Sequence, residues 1–462
     1  MTTTPTARLA YERVHAGDWS AKVLPLRRQT EVVNGWLAER LRTVLPEVMR
    51  REGFDLWIVV AREYNEDPVL MSLLPAPMMS ARRRTILVFH APGAAGGAPA
   101  EAAAGAPGQG GAADADGFEA MAIANAGIGL DGYYRPMWDK SRTAQAKEDQ
   151  WACLSRVVAE REPRRIGIDV AENFAFGDGL SHHEHEALRG ALGEELWART
   201  ASAERLAVGW LERRTQGEID AAGGINQIAH GIIGEGFSSR VVHPGVTTAV
   251  DVAWWMRQRA TDLGLSCWFQ PTVSIQRRGV NVGDIGSSPD EVIRPGDLLH
   301  CDFGLHYLGL ATDTQQNAYV LRLGEEAPPV GLELALVAAN RQQDLLAAEM
   351  VAGRSGNEIL AAVRAAMAAD GLEGRMYTHP IGFHGHGAGP MIGLYDQQEG
   401  VPGRGDLPLH DDTLHSFEMF VEVAVPEWDG QTVKLASEQI VAFTGGRIYF
   451  LGGRQTALHL IH

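Results

Sequence analysis

The apolar positions in the first 205 residues follow two different repeats. In residues 24–53, apolar side chains recur every three or four positions, which is the period of one face of an α-helix. Residues 54–61 and 83–90 are instead short apolar runs rich in β-branched side chains, as in buried strands. A further amphipathic stretch, 148–163, predicts another helix. This alternation predicts an N-terminal α/β domain with its own sheet over residues 1–205.

One segment of this domain, residues 91–117, consists largely of alanine, glycine and proline. Such a segment buries too little apolar surface to offset the entropy that it would lose on ordering. We therefore expect a flexible surface loop or hairpin insertion here.

The pattern changes near residue 206, where we expect a second domain to begin. Residues 212–239 predict a long helix, and Thr215 and Glu218 stand at the spacing of a capping box near its start. Short strand-like runs then alternate irregularly with further helices, and these runs are 267–276, 297–321, 416–425 and 439–451. This texture predicts a mixed α+β domain over residues 206–462.

Four carboxylates interrupt the apolar runs of the second domain. They are Asp302, Asp313, Glu418 and Glu438, and a histidine-rich segment, 379–386, lies between the two pairs. An ionised carboxylate that is buried without a partner is strongly destabilising. A shared cation would relieve that cost for several carboxylates at once. The order Asp, Asp, His, Glu, Glu therefore indicates a dinuclear metal site.

The four carboxylates are expected to meet on two pairs of strands. The segment between Asp302 and Asp313 contains two glycines that suit a turn, so a hairpin would place the two aspartates side by side. A turn signal also separates Glu418 from Glu438. Adjacent carboxylates raise each other's pKa unless a cation lies between them. A set rich in carboxylates suits Mn²⁺, and one imidazole extends the choice to Fe, Co or Zn.

Composition narrows the range of partners. The chain has 462 residues and 45% hydrophobic content, which is enough for more than one core of a soluble globular protein. Its 58 acidic and 41 basic residues give a net charge of −17, which argues against nucleic acids and anionic membranes as partners. The three cysteines, Cys153, Cys267 and Cys301, form neither a disulfide framework nor a CxxC metal motif. A small peptide or another small molecule is the expected substrate.

The location expected from the sequence is the cytoplasm. No apolar run reaches the length of a membrane span, and the N-terminal residues lack the apolar core of a secretory signal.

The order of these motifs resembles that of the pita-bread metallopeptidases, which include methionine aminopeptidase, Xaa-Pro aminopeptidase, prolidase and creatinase. That family carries its first metal pair as D-x-G followed by D-T, and these motifs begin here at Asp302 and Asp313. Its histidine ligand occurs as G-H-x-x-G, which matches His386, and its two late glutamates match Glu418 and Glu438. The extra N-terminal domain is similar to that of the creatinase/prolidase branch.

The resemblance implies a pita-bread catalytic domain with two divalent metal ions. Mn²⁺ is the first expectation, with Co²⁺, Zn²⁺ or Fe as alternatives. In this interpretation Asp313 and Glu438 bridge the ions, Asp302 binds one ion, and His386 and Glu418 bind the other.

The resemblance also implies catalytic roles and an assembly. Glu418 would accept a proton from the water that attacks an amide carbonyl. His379 and His384 would stabilise the developing oxyanion or orient the ligands. Relatives in this branch are commonly homodimers, so we expect a homodimer. Trp254 and Trp255, on a predicted helix, could supply an apolar face for the dimer, and burial within the monomer is the favoured alternative.

Two assignments stay open at this point. His384 also satisfies H-x-x-G, and His386 is preferred because a glycine precedes it. Glu422 falls on the same strand face as Glu418, and Glu418 is preferred for its spacing to the second glutamate.

The sequence departs from the peptidase pattern in two places. Peptidases of this family carry a histidine upstream of the first metal aspartate, whereas segment 275–289 has none and offers only Asn281 and Asp284. Gln315 and Gln316 also stand where many peptidases have an arginine. The favoured function is a metallopeptidase of the Xaa-Pro dipeptidase or aminopeptidase type. The alternatives are a creatinase-like C–N hydrolase, a lyase like those that cleave dimethylsulfoniopropionate, or a metal-binding inactive homologue.

Overall fold

A computed structural model describes residues 19–94, 117–125, 129–139 and 148–462. They form two compact units, which we call the N-terminal unit, Leu26–Leu211, and the C-terminal unit, Glu212–His462 with residues 19–25. Most of the insertion predicted at 91–117 lies outside the described residues.

The N-terminal unit is a mixed sheet flanked by helices. Its strands, in the sheet order β4-β3-β2-β1-β5-β6, are β1 (Leu56–Arg62), β2 (Arg84–His90), β3 (Glu119–Ile123), β4 (Arg135–Pro136), β5 (Ile166–Ile168) and β6 (Thr200–Ser202). The described helices that begin in this unit are α1 (Leu26–Arg42), α2 (Val44–Glu52), α3 (Pro68–Leu73), α4 (Gln150–Ala159), α5 (His182–Trp197) and α6 (Glu204–Glu212). Strand β1 pairs antiparallel with β2 and parallel with β5.

The single helix predicted over 24–53 is two helices in the structure. Helix α1 ends at Arg42 and α2 begins at Val44. Pro46 explains the break, because it has no N–H to donate to the Arg42 carbonyl and its ring would clash with that carbonyl in a continuous helix.

The C-terminal unit contains four small sheets. Its strands are β7 (Ser266–Cys267), β8 (Thr272–Gln276), β9 (Leu298–Phe303), β10 (Leu305–Tyr307), β11 (Leu310–Ala311), β12 (Thr314–Val320), β13 (Gly374–Met376), β14 (His379–Ile381), β15 (Thr413–Ser416), β16 (Met419–Val425), β17 (Gln431–Ser437), β18 (Ile440–Thr444), β19 (Arg447–Phe450) and β20 (His459–Ile461). The sheet orders are β11-β10-β7, β20-β12-β9-β8, β13-β16-β17 and β14-β15-β18-β19. Its helices are α7 (Gln216–Gly236), α8 (Ala249–Asp262), α9 (Val330–Glu349) and α10 (Gly356–Asp370).

Helix α7 begins at the predicted capping box. The Thr215 hydroxyl accepts a hydrogen bond from the Glu218 N–H, and the Glu218 carboxylate accepts one from the Thr215 N–H. Two orphan donors at the helix start are thereby satisfied, as the sequence predicts.

Helix α9 covers one face of the β13-β16-β17 sheet. Leu332 and Leu336 of this helix pack in one core cluster with Val421 of β16 and Leu435 of β17. Because side chains alternate across a strand, the residues next to Val421 point to the opposite face, which is left for the functional site.

The predicted fold class, an α/β domain followed by an α+β domain, is confirmed by these two units. Within the described residues, no helix is both long and apolar enough to cross a membrane. The burial predicted for the tryptophan pair is wrong for Trp254, which is 56% exposed on α8.

Candidate metal centre

The two aspartates meet where strands β9 and β12 pair. The strands are antiparallel, with Asp302 opposite Gln315, and Asp313 immediately precedes β12. The hairpin predicted from the glycine-containing segment therefore forms, with two short strands inserted between its arms.

The two glutamates flank a second pair of strands. Glu418 precedes β16 and Glu438 follows β17, and the adjacent residues Met419 and Ser437 face each other in the antiparallel register. Glu438 also forms a bridge with Gln315. This bridge brings the glutamate pair onto the aspartate pair.

His379 provides the nitrogen at the centre of the cluster. It lies on β14, and its Nε2 is 3.4 Å from Glu438 Oε1, 3.7 Å from Asp313 Oδ2 and 3.9 Å from Glu418 Oε2. Its Nδ1 lies 3.0 Å from the Pro380 carbonyl oxygen. Because a carbonyl only accepts, Nδ1 carries the proton, and a neutral imidazole then presents the lone pair of Nε2 to the carboxylates.

Three overlapping groups of side chains have ligand atoms within 4.8 Å of one another. They are Asp302, Asp313 and Glu438; His379, Glu418 and Glu438; and Asp313, His379 and His386. A common centre with this mixture of oxygen and imidazole ligands suits Mn²⁺, Fe, Co²⁺ or Zn²⁺.

Several atoms of the cluster are buried and have no hydrogen-bond partner. These atoms are Asp302 Oδ1, Asp313 Oδ1, His379 Nε2 and Glu438 Oε2. Buried polar groups are almost always paired, and four acceptors that converge without a donor repel one another. A divalent cation satisfies all of them at once, so the donor set fits a metal centre.

The pKa shifts of the carboxylates in the cluster also indicate a metal centre. Burial raises the pKa of Asp302, Asp313 and Glu418 well above their usual values, and the nearby Glu438 carboxylate adds to the rise in each case. Without a cation, the side chains could not all be ionised at neutral pH. Cations between them would restore the ionised form, which is the form that binds metal.

A cavity of about 170 Å³ opens next to the cluster. Asp302 and Glu418 line it, together with Asp284 from the loop between β8 and β9. Asp284 is one of the two polar residues that the sequence offers in place of an upstream histidine. Asn281, the other one, lines a neighbouring depression that also includes Asp284.

Residues 218–442, just under half of the chain, match metallopeptidase family M24. The matched segment contains every member of the cluster. No curated protein matches the chain in sequence.

Solved structures with the same fold cover both units. An X-Pro aminopeptidase from Thermotoga maritima is 15% identical with a TM-score of 0.59, over 89% of this chain and 99% of its own. A Xaa-Pro dipeptidase from Bacillus anthracis is 17% identical with a TM-score of 0.58, over 92% of this chain and 99% of its own. A dipeptidase from Mycobacterium ulcerans is 18% identical with a TM-score of 0.57, over 92% and 98%. The predicted resemblance to the creatinase/prolidase branch is thus confirmed for the fold, and residues 218–442 match the metallopeptidase family.

The other two histidines predicted for the site, His386 and His384, differ in their position relative to the cluster. His386 stays beside the cluster, with its ring 4.9 Å from that of His379 and its Nε2 3.3 Å from the Tyr377 hydroxyl. Burial lowers the pKa of His386 to about 4, and the neighbouring His379 adds to this effect. His384 is in none of the three groups. Burial lowers the pKa of His384, and the nearby His306 adds to this effect.

Glu422, the rival of Glu418, is outside the cluster as well. Its carboxylate lies 4.0 Å from the Lys434 ammonium, and both side chains are partly exposed. Glu418 instead lies 3.9 Å from His379.

A chain of hydrogen bonds that was not predicted from the sequence supports Glu418. The side-chain amide of Gln315 donates through Nε2 to Glu418 Oε1 at 2.9 Å. The Oε1 atom of the same amide accepts a hydrogen bond from His300 Nε2 at 2.9 Å. His300 Nδ1 then accepts from the Ser274 hydroxyl at 3.3 Å. Burial lowers the pKa of His300 to about 4, which keeps its ring neutral. The available signal was the spacing of His300, which shares a strand face with Asp302.

Proposed function

We propose that the chain is a dinuclear-metal hydrolase of the metallopeptidase type that cleaves Xaa-Pro dipeptides or Xaa-Pro N-termini. The observation that carries this proposal is the buried cluster of His379 and four carboxylates. His379 Nε2 lies 3.4–3.9 Å from three of these carboxylates, and four atoms of the cluster have no hydrogen-bond partner. Membership of residues 218–442 in a metallopeptidase family supports the same reaction class.

In this proposal the ligands are Asp302, Asp313, His379, Glu418 and Glu438, and His386 stands at the edge of the set. When bound, divalent ions would supply Lewis-acid activation of the amide carbonyl and of water. Asp313, His379 and Glu438 each occur in two of the three groups. Of these, the two carboxylates each have two oxygens, so they are the residues that could hold both ions.

Glu418 is the proposed general base. Gln315 occupies its Oε1, while its Oε2 faces the centre of the cluster. This arrangement fixes the carboxylate so that Oε2 can take the proton from the attacking water. His386 and Tyr377 stand beside the same point and would stabilise the negative charge on the carbonyl oxygen.

The Xaa-Pro preference is proposed from two considerations. A proline amide has no N–H, so the site needs no acceptor for one. The X-Pro aminopeptidase and the Xaa-Pro dipeptidase named above share the fold of both units.

The test is the release of proline from a panel of Xaa-Pro dipeptides by Mn²⁺-loaded protein. We expect turnover in the wild type and a loss of at least about 100-fold in kcat for Glu418→Gln, which lies within the range for removal of a general base. Glu422→Gln is the matched control, because Glu422 lies on the same strand outside the cluster, and it should keep full activity. Two bound metals without proline release from any dipeptide would contradict the peptidase proposal.

A second function is favoured by Asp284. An acidic side chain lines the cavity where peptidases of the family carry a histidine, and this suits a non-peptide substrate of a creatinase-like C–N hydrolase or a lyase. Turnover of small non-peptide amides or sulfonium compounds, with no proline release, would support this second function.

A further inference from the structure

The cavity beside the metal centre carries two basic side chains that the proposed reaction does not use. They are Arg375 of β13 and Lys434 of β17. We propose that these two residues bind the side-chain carboxylate of an acidic residue on the N-terminal side of the cleaved bond. The substrate class is then short acidic Xaa-Pro peptides, and this inference rests on the proposed function for the position of the cleaved bond.

The register of the β13-β16-β17 sheet places these cations in line with the cluster. Arg375 faces Phe420, and Phe420 faces Ala436, so these three residues form one row across the sheet. Glu418 lies two positions before Phe420 on the same face, which corresponds to about 7 Å along the strand. Lys434 lies on that face one row further from the cluster, two positions from Ala436.

This separation matches an acidic side chain. In an extended glutamate, four single bonds of about 1.5 Å each join the backbone carbonyl carbon to the side-chain carboxylate carbon, a span of about 5 Å. The long side chain of Arg375 covers the remaining distance. A glutamate whose carbonyl lies at the cluster would therefore direct its carboxylate toward this row.

Arg375 has no acidic partner within the part of the chain that the structure describes. One Nη1 hydrogen bond goes to the Tyr395 carbonyl oxygen at 2.8 Å, and the guanidinium lies 5.2 Å from the Tyr395 ring centroid. These contacts fix the planar guanidinium and leave further N–H donors for a two-point bond to a carboxylate.

Lys434 is only weakly engaged. Its ammonium is 4.0 Å from Glu422, at the limit of an ion pair, and 5.7 Å from the Phe420 ring centroid. Such a partly exposed pair contributes little to stability, so the ammonium can turn to a bound anion.

The charge balance of the cavity favours an anion. Asp302 and Glu418 belong to the proposed ligand set, which leaves Asp284 as the other acidic side chain among the lining residues. Among the lining residues two cations then face one carboxylate, and Glu422, which does not line the cavity, lies 4.0 Å from Lys434. Phe420 and the ring of Tyr395 give the cavity apolar surface that lowers the local dielectric and strengthens an ion pair inside.

The first test compares Glu-Pro with Gln-Pro, which differ by one charge at nearly constant shape. In Mn²⁺-loaded wild type, we expect kcat/KM for Glu-Pro to exceed that for Gln-Pro about tenfold, the size of one charge-assisted hydrogen bond. Arg375→Met should abolish this preference through KM, with kcat and the values for Gln-Pro almost unchanged. Lys434→Met should reduce it in the same way.

Arg341→Met is the matched control. Arg341 lies on α9, is paired with Asp370 and does not line the cavity, so this variant should keep the full preference for Glu-Pro. Equal kcat/KM values for the two dipeptides in the wild type would overturn the proposal. An equal loss of both activities in Arg375→Met would also overturn it.

A binding measurement separates this proposal from the proposed function. N-acetylglutamate and N-acetylglutamine are titrated calorimetrically into Mn²⁺-saturated wild type and Arg375→Met. We expect about tenfold tighter binding of N-acetylglutamate to the wild type only. Tighter binding of N-acetylglutamate without turnover of any dipeptide would support the proposed binding site for acidic side chains and would contradict the peptidase function. A preference that persists in Arg375→Met would show that the metal ions bind the carboxylate, and it would overturn the proposal.

Discussion

At the centre of the cluster, the Nε2 lone pair of His379 faces three carboxylates. The Pro380 carbonyl holds the proton on the other ring nitrogen, and β14 holds the residue opposite Ser416. Ser416 in turn donates to Glu438 Oε1 at 2.6 Å. These contacts orient both His379 and Glu438 toward one point, as partners outside a metal's own ligands commonly do.

His379→Ala should therefore impair metal binding more than a change at either neighbouring histidine. We expect the affinity for Mn²⁺ to fall by more than about 100-fold, beyond the range typical for loss of an outer hydrogen-bond partner. His386→Ala should cause a smaller loss, and His384→Ala should leave the affinity unchanged. Calorimetric titration of the metal-free protein with Mn²⁺ measures these values. Normal affinity in His379→Ala, together with a loss in His386→Ala, would show that His386 is the histidine ligand.

A second carboxylate pair lies in the core of the N-terminal unit. Asp169 and Asp67 are both buried, and Trp57 Nε1 donates to Asp169 Oδ1 at 2.7 Å. Burial raises the pKa of Asp169 well above its usual value, and Asp67 adds to the rise. Burial also raises the pKa of Asp67. The folded protein therefore holds protons here that the unfolded chain releases near pH 4.

The raised pKa values of this pair predict that the stability of the fold decreases as the pH rises. Both aspartates have a higher pKa in the folded protein than in the unfolded chain, where it is about 4. Their protonation therefore contributes its full stabilisation below about pH 4, and this stabilisation is lost as the pH rises through the pKa of the folded protein. Asp169→Asn keeps the acceptor for Trp57 but cannot ionise. We expect it to raise the Tm at pH 8 and to flatten the fall in Tm between pH 5 and pH 8, as followed by calorimetry. The exposed control Glu194→Gln should match the wild type, and a Tm of Asp169→Asn below the wild type at pH 8 would contradict this account.

At the scale of elements, helix α7 contacts the strand that follows a proposed metal ligand. The helix begins at the Thr215–Glu218 capping box, and further along it Asn226 Oδ1 accepts a hydrogen bond from the Thr314 hydroxyl at 2.7 Å. Thr314 directly follows the proposed ligand Asp313. The helix thus supports the strand end that carries this ligand.

Removal of the cap should destabilise this unit. Thr215→Ala leaves the Glu218 N–H without its acceptor in a buried position, and we expect a loss of about 1 kcal/mol in the free energy of unfolding. Thr215→Ser restores the hydroxyl and should retain most of the stability. Urea denaturation of the full chain measures both variants. Equal stability of Thr215→Ala and the wild type would show that the cap does not stabilise the helix.

The elements show which parts of the site could be predicted from sequence. The carboxylate pairs followed from local pattern, since Asp302 and Asp313 flank a short turn-rich segment and Glu418 and Glu438 flank another. Strand pairing with short connections is a local property, so the sequence was sufficient for these residues.

The histidine and the support behind Glu418 depend on longer-range geometry. The motif around His386 favoured that residue, but the path of segment 379–386 brings His379 closer to the carboxylates. His300 donates to Gln315, and Gln315 donates to Glu418, so these bonds join three different strand segments. The spacing of His300 indicated its strand face, but no local pattern indicated these partners. Trp254 was predicted to be buried in the core, but its side chain on α8 is exposed to solvent.

At the scale of the whole molecule, all of the proposed ligands lie in the C-terminal unit. The net charge of −17 is distributed over the chain, but the cluster concentrates four carboxylates at one point. Ions that bind only the folded state stabilise it in proportion to the logarithm of their concentration. Folding of this unit and metal binding are therefore expected to be linked.

The measurement that tests the account most directly is the number of metal ions per chain. Purified protein is stripped with a chelator, incubated in turn with excess Mn²⁺, Co²⁺, Zn²⁺ or Fe²⁺, freed of unbound metal and analysed by elemental mass spectrometry. We predict two ions per chain for at least one metal and one or fewer in Asp313→Asn. Fewer than one ion per wild-type chain with every metal would contradict a dinuclear centre, as would equal content in Asp313→Asn and the wild type.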